Sequence, residues 1–80
     1  MNSDRRKSYR RTINAKATLV CNGGLKRLAA YILDISETGV RVRLADYARI
    51  APECYILFEH RMEPCRLVWQ SDRSAGLCFA

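Results

Sequence analysis

Long hydrophobic runs are absent from this chain of 80 residues. The longest uninterrupted apolar stretch covers residues 28–33, whereas a helix needs about 20 apolar residues to cross a bilayer. No apolar segment follows the charged amino terminus, so we expect no secretory signal. We therefore expect a cytoplasmic protein without membrane insertion, and the length predicts one small domain.

Groups suited to catalysis or metal binding are also scarce. His60 is the only histidine, and the four cysteines have no C-x-x-C spacing of the kind that structural zinc sites usually use. No G-x-S-x-G motif or glycine-rich phosphate loop is present. We therefore predict a protein that is not an enzyme and uses no metal and no cofactor. We interpret the cysteines as mostly buried thiols, with a redox role as the minor alternative; they are Cys21, Cys54, Cys65 and Cys78.

Acidic residues are few relative to basic ones, with 8 Asp and Glu against 14 Lys and Arg, for a formal net charge of +6. Six of the basic residues lie between Arg5 and Lys16, which concentrates charge in an amino-terminal arm, residues 1–11. Such an arm attracts the phosphate groups of nucleotides, nucleic acids or anionic lipids, although the same pattern also fits a solvated tail. Because the arm is polar, terminal and self-repelling, we expect it to be flexible.

Residues 12–80 have the pattern of an all-β domain. Apolar and polar residues alternate along most segments, and Asn22-Gly23 predicts a hairpin because both turn positions tolerate positive φ. Residues 45–53 are the least strand-like part, since Ala and Arg favour helix and Pro52 would end any short turn. Six short strands fit a closed antiparallel β-barrel better than a sandwich, without a carboxyl-terminal helix. The predicted strands cover residues 12–21, 25–34, 40–44, 54–59, 63–69 and 75–79.

Two short motifs stand apart from this pattern. The first is Arg6-x-x-x-Arg10, and the second is Asp34-Ile35-Ser36-Glu37-Thr38-Gly39, which begins 24 positions after Arg10. Both motifs, in this order and on six predicted strands, resemble the signature of the PilZ domain family. Residues 66–69 and 76–79 are similar to the closing hairpin of that family, so the resemblance covers essentially the whole chain.

The resemblance implies a six-stranded barrel that binds cyclic di-GMP. Arg6 and Arg10 would contact the guanine edge and the phosphates, because a guanidinium fork matches both groups. Asp34 would accept hydrogen bonds from guanine N1–H and the N2 amino group. Ser36 would orient that carboxylate or bind the ligand, and Gly39 would leave room for the close approach of a base.

Three further residues are weaker candidates. Trp69 could pack beside a guanine, Arg41 is the likelier helper of the two arginines on the third strand, and Arg5 hints at two stacked ligand molecules. Trp69 also alternates with Cys65 and Leu67, which would place it inside the barrel. The second motif has a structural interpretation as well, in which Asp34 and Ser36 bond their own backbone and Gly39 permits a left-handed turn.

The predicted function is that of a second-messenger receptor. Ligand would order the basic arm and create a surface for a downstream protein, in motility, adhesion or exopolysaccharide control as the bacterial family implies. One alternative is a PilZ-like protein-interaction module that does not depend on cyclic di-GMP. The other is a small basic nucleic-acid-binding barrel, which is less favoured because the tyrosines form no strand-borne stacking platform.

Overall fold

Six antiparallel strands form a closed barrel in the computed structural model of the protein, which describes residues 11–80, with side chains from residue 14 onward. The strand order is β1-β2-β3-β6-β5-β4, and pairing of β1 with β4 closes the barrel. The predicted six-stranded antiparallel barrel is therefore confirmed. The strands are β1 (Arg11–Cys21), β2 (Lys26–Ile35), β3 (Gly39–Leu44), β4 (Glu53–Phe58), β5 (Arg61–Ser71) and β6 (Ser74–Phe79).

The interior of the barrel is filled by the apolar residues of the alternating pattern. Leu19, Ile32, Val42 and Ile56 are fully buried, and each comes from a different strand. One face of every strand is thereby removed from water, which is the main favourable contribution to folding of a domain this small. The polar residues between them point outward, as the period of two requires.

Three hairpin turns contain residues with positive φ, including Asp72 between β5 and β6, with φ of 55°. Asn22 and Gly23 have φ of 50° and 63°, so the predicted Asn-Gly hairpin between β1 and β2 is confirmed. The turn also takes up Leu25, and β2 begins at Lys26, one residue later than predicted. Glu59 and His60, with φ of 49° and 68°, form the two-residue turn between β4 and β5.

The segment between β3 and β4, residues 45–52, contains no helical turn despite its helix-favouring composition. Two of its backbone groups are bound instead by the side chain of Gln70, a residue of β5. Gln70 Nε2 donates to the carbonyl of Ala48 at 2.6 Å, and Gln70 Oε1 accepts from the Ile50 N–H at 3.1 Å. Ile50 is buried against the core, so tertiary contacts override the weak local propensity of this segment.

Candidate ligand-binding site

A β-bulge in β2 decides which way Asp34 points. Ile32 pairs with Val42 of β3 and Asp34 pairs with Arg41, so Leu33 is an extra residue on β2. Simple alternation would place Asp34 on the same face as the buried Ile32, inside the barrel. The extra residue turns Asp34 instead to the side on which Arg41 is exposed.

A second bulge does the same for Trp69. Leu67 pairs with Leu77 of β6 and Trp69 pairs with Gly76, so Val68 is the extra residue on β5. Alternation with Cys65 and Leu67 predicted an interior position as the structural alternative for Trp69. That alternative is wrong, because 43% of Trp69 is exposed on the outer face.

The two bulges align four residues across the barrel wall. Asp34, Arg41, Gly76 and Trp69 pair in sequence across β2, β3, β6 and β5, and we call these four residues the outer row. Arg41 Nη2 donates to Asp34 Oδ2 at 2.6 Å. A Cβ atom on Gly76 would overlap with Nε1 and the ring atoms of Trp69, so the indole lies directly over the backbone of that glycine. The outer row thus brings a carboxylate, a guanidinium and an aromatic plane together.

The ion pair in the outer row is unequally exposed. The side chain of Asp34 is 7% exposed and that of Arg41 is 52% exposed. A buried carboxylate requires charged or hydrogen-bonding partners, and Arg41 supplies a charge-assisted bond. Arg41 also lines a cavity of about 260 Å³, and a guanidinium can offer N–H donors to a bound phosphate or base. The cavity continues from Arg41 to Trp69 and is lined also by Thr38, Val40, Val68, Gly76, Leu77 and Cys78.

Ser36 stabilises the loop that follows β2. Its hydroxyl accepts a hydrogen bond from the Thr38 N–H at 3.3 Å, and its own N–H donates to the carbonyl of Gly39 at 2.9 Å. Within residues 14–80, the hydrogen bonds of the Ser36 hydroxyl stay inside this loop and do not reach Asp34. These contacts agree with the structural interpretation of Ser36, and its contact with ligand stays a prediction.

Gly39 permits the close packing of β3 on β6. A Cβ atom at this position would overlap with the carbonyl oxygen of Leu77 and would lie 3.3 Å from Cα of Cys78. Left-handed φ occurs in the described glycines at Gly23 and Gly24, so the left-handed turn considered for Gly39 is wrong. Gly39 therefore allows the close approach of β6, and the predicted close approach of a base at this position stays a prediction.

Three arginines of the arm, at positions 5, 6 and 10, lie outside the residues that the structure describes. The predicted ligand contacts of Arg5, Arg6 and Arg10 therefore stay predictions. The first strand begins at Arg11, one residue before the predicted boundary of the barrel. The Arg11 backbone pairs with Ile35, so the arm joins the barrel next to Asp34.

Gly76 is the member of the outer row that sequence reasoning missed. A glycine inside an alternating strand weakens the strand and often marks a place where another group approaches closely. That signal was available in residues 74–79, but it does not say which group approaches. The identity of that group, Trp69, follows from the pairing of β5 with β6.

Across residues 11–80, the chain has no helix long and apolar enough to cross a membrane. The same residues contain no cluster of three or more His, Cys, Asp or Glu side chains that could hold a metal ion.

Comparisons with known proteins agree with this architecture. The family model described as PilZ domain matches residues 4–80. Among solved structures, the chain is similar to the PilZ domain of CeSA from a cellulose-synthesising bacterium, with a TM-score of 0.71 and 13% sequence identity, over 91% of this chain and 81% of that one. No curated protein matches the sequence. The match over nearly the whole length, together with the barrel, shows that this chain belongs to the PilZ domain family.

Proposed function

We propose that this chain is a receptor for cyclic di-GMP and that the ligand docks on the outer row. The observation that carries the proposal is the pair of bulges that turn Asp34 and Trp69 to the same outer face as Arg41. Family membership supports it, because PilZ domains are regulatory binding modules that generally bind cyclic di-GMP and are generally not enzymes. On this proposal the chain itself catalyses no reaction and needs no cofactor.

The chemistry of the outer row suits guanine. The carboxylate of Asp34 accepts the N1–H and N2 amino donors, which adenine does not present in this arrangement. The Trp69 indole offers a stacking surface, and base–aromatic stacking contributes about 1–3 kcal/mol per base. Arg41 is placed between these two groups, where its remaining donors can meet guanine O6 and N7 or a phosphate oxygen.

The basic arm completes the site in this proposal. It joins β1 at Arg11, whose backbone partner in β2 lies next to Asp34, so the arm starts beside the outer row. Arg6 and Arg10 then cover the bound ligand, and their charge is neutralised by its two phosphates. Ligand contacts offset the entropic cost of ordering the arm, and the ordered arm presents a new surface to a downstream protein in the cytoplasm.

Isothermal titration calorimetry with cyclic di-GMP tests the proposal. We expect saturable binding of cyclic di-GMP at micromolar concentrations and at least tenfold weaker binding of cyclic di-AMP. Arg10→Ala and Asp34→Ala each remove a charge-assisted bond worth about 1.5–3 kcal/mol, so each should weaken binding roughly tenfold or more. Arg27→Ala is the matched control, because Arg27 is exposed at the far end of β2 and pairs with Val20.

The same titration determines how many ligand molecules bind. A ratio of two per chain that falls to one in Arg5→Ala would support the predicted pair of stacked ligands. No heat with cyclic di-GMP at tens of micromolar, from folded protein, would refute the receptor function itself. Equal affinity for both dinucleotides would refute the role of Asp34 in guanine recognition.

A protein-interaction module that does not depend on cyclic di-GMP is the second candidate. The observation that favours it is a group of exposed apolar side chains on the outer faces of β4 and β5, where Tyr55 pairs with Pro64 and Met62 is 64% exposed. A pull-down with and without cyclic di-GMP separates the two candidates. A partner captured equally in both conditions favours the interaction module, whereas a partner captured with ligand alone favours the receptor.

A further inference from the structure

Three thiols lie side by side in the barrel interior, away from the outer row. Cys21 of β1 pairs with Cys54 of β4, and Cys54 pairs with Cys65 of β5. All three are buried and reduced, while Cys78 is exposed. The expectation of buried thiols is confirmed for these three cysteines, but their adjacency goes beyond it. Cys21 and Cys54 are 33 positions apart in the sequence, and Cys54 and Cys65 are 11 positions apart, so their spacing did not predict that they are neighbours.

Cys54 and Cys65 are in direct contact. Their Sγ atoms are 3.7 Å apart, a distance at which one thiol donates a hydrogen bond to the other. The two-residue turn at Glu59-His60 starts a regular hairpin in which every pair from Phe58 and Arg61 onward is in register. Directly opposed residues of antiparallel strands have Cα atoms about 4.5–5.5 Å apart, which is within the range that a disulfide spans.

A cavity large enough for small molecules lies beside this pair. It has a volume of about 530 Å³ and is lined by both Cys54 and Cys65. Gly23 and Gly24 line the same cavity without side chains that could narrow it, and Glu53 and Arg66 also border it. Hydrogen peroxide is only slightly larger than water, so it is small enough to enter a cavity of this volume beside the two cysteines.

The hydrogen bond between the thiols also sets their acidity. Donation by Cys54 stabilises the thiolate of Cys65 and lowers the pKa of Cys65, although burial opposes this effect. The same hydrogen bond, followed by burial, raises the pKa of Cys54. Burial raises the pKa of Cys21 as well. Donation from Cys54 thus favours the thiolate of Cys65, and the thiolate is the form that attacks peroxide.

We propose that Cys54 and Cys65 form a reversible intramolecular disulfide when hydrogen peroxide enters this cavity. The Cys65 thiolate attacks one peroxide oxygen, the O–O bond breaks, and a sulfenic acid forms with release of hydroxide. The proton that Cys65 lost on ionisation neutralises that hydroxide. Cys54 then attacks the Cys65 sulfur, and the proton of Cys54 leaves with the hydroxyl group as water. Two thiols and one peroxide thus yield one disulfide and two waters, the two sulfurs supplying both electrons. A thiol reductant reverses the reaction by exchange.

Peroxide treatment of the Cys78→Ser variant tests this modification, because the exposed cysteine is removed while the core is left intact. Three thiols should react with Ellman's reagent in denaturant before treatment, and one should react afterwards. Peptide mapping without reductant should show Cys54 joined to Cys65, and dithiothreitol should restore all three thiols. The double variant Cys65→Ser/Cys78→Ser should keep both remaining thiols under the same treatment.

Two outcomes would overturn the proposal. One is retention of three free thiols in Cys78→Ser at peroxide concentrations that oxidise Cys78 in the unsubstituted chain. The other is a peptide map in which Cys21 is joined to Cys54, which would show that the disulfide forms between a different pair of cysteines. The test does not involve cyclic di-GMP, so its result is independent of the proposed receptor function.

Discussion

At the scale of single residues, Trp69 packs its indole ring on the backbone of Gly76. The indole rests where a Cβ atom would otherwise stand, and it remains 43% exposed. Trp69 is also the only tryptophan in the chain, so its fluorescence reports on the outer row alone. A change at Gly76 can therefore be followed without a label.

Substitution Gly76→Ala should displace the indole from its position over β6. The added Cβ overlaps with several ring atoms of Trp69, and the side chain must rotate outward. We expect a shift in Trp69 emission and a loss of cyclic di-GMP affinity of several-fold, since stacking contributes about 1–3 kcal/mol per base. Fluorescence spectra and calorimetry measure the two effects.

Ser74→Ala is the control for the change at Gly76, because Ser74 lies on the same strand and pairs with Arg43 and Ser71, not with Trp69. An unchanged emission spectrum in Gly76→Ala would contradict the packing of the indole on the backbone of Gly76. A changed spectrum with unchanged affinity would support the packing of the indole on Gly76 and would show that Trp69 does not contribute to ligand binding.

At the scale of a strand, the β-bulges of β2 and β5 decide which side chains face outward. Each bulge adds one residue to one strand, so that two consecutive side chains face outward, as Val68 and Trp69 do. The residues after the bulge resume their alternation, so Gln70 again points toward the interior and reaches the backbone of residues 45–52. The bulge in β5 therefore has two effects: it turns Trp69 to the outer row, and it lets Gln70 bind the segment that covers the barrel end.

Deletion of Val68 should be tolerated by the fold. Without this residue Leu67 would point inward, Trp69 outward and Gln70 inward, so the faces of the strand are preserved. In urea denaturation, we expect the free energy of unfolding to stay within about 1 kcal/mol of that of the unsubstituted chain. Acrylamide should still quench the fluorescence of Trp69, because the indole stays exposed. The outer row should keep its members.

Deletion of Leu57 is the comparison for that experiment. Leu57 lies in β4, which pairs with β1 and with β5 without a bulge, so its loss shifts the register by one residue and turns a buried neighbour such as Phe58 to the outer face. This variant should lose several kcal/mol or fail to fold, since large core losses cost 2–5 kcal/mol each. Equal stability of the two deletions would contradict the assignment of Val68 as the spare residue.

At the scale of the whole molecule, the barrel is a small scaffold whose stability ligand binding should change measurably. A domain of 80 residues has a modest free energy of unfolding, at the lower part of about 5–15 kcal/mol. A ligand that binds the folded state alone adds about 2.7 kcal/mol at a concentration of 100 times its Kd. For a domain of this size, that free energy raises Tm by roughly 10–20 °C.

Thermal unfolding followed by Trp69 fluorescence or calorimetry should show this rise with cyclic di-GMP. Asp34→Ala at the same ligand concentration should show a smaller rise, because its Kd is higher. A Tm that does not respond to cyclic di-GMP at any concentration would contradict binding to the folded barrel. Cyclic di-AMP serves as the control ligand.

The strand pattern was accessible from the sequence because it depends on local rules. Alternation located all six strands within two residues of their observed ends, and Asn22-Gly23 located the first hairpin. The family motif identified Asp34 as a candidate site residue. Local rules failed at Trp69 and Gly39, because the first depends on a bulge in β5 and the second on the distance to β6.

The sequence by itself determined that the chain forms a small antiparallel barrel and belongs among PilZ-like domains, since side-chain alternation, turn residues and motifs are properties of neighbouring positions. Only the tertiary structure decided which face Asp34 and Trp69 occupy, because a bulge exists only in the pairing of two strands. The contact of Cys54 with Cys65 likewise depends on the register of their hairpin. Pairing converts distant positions into neighbours, and both the outer row and the thiol pair arise at that step.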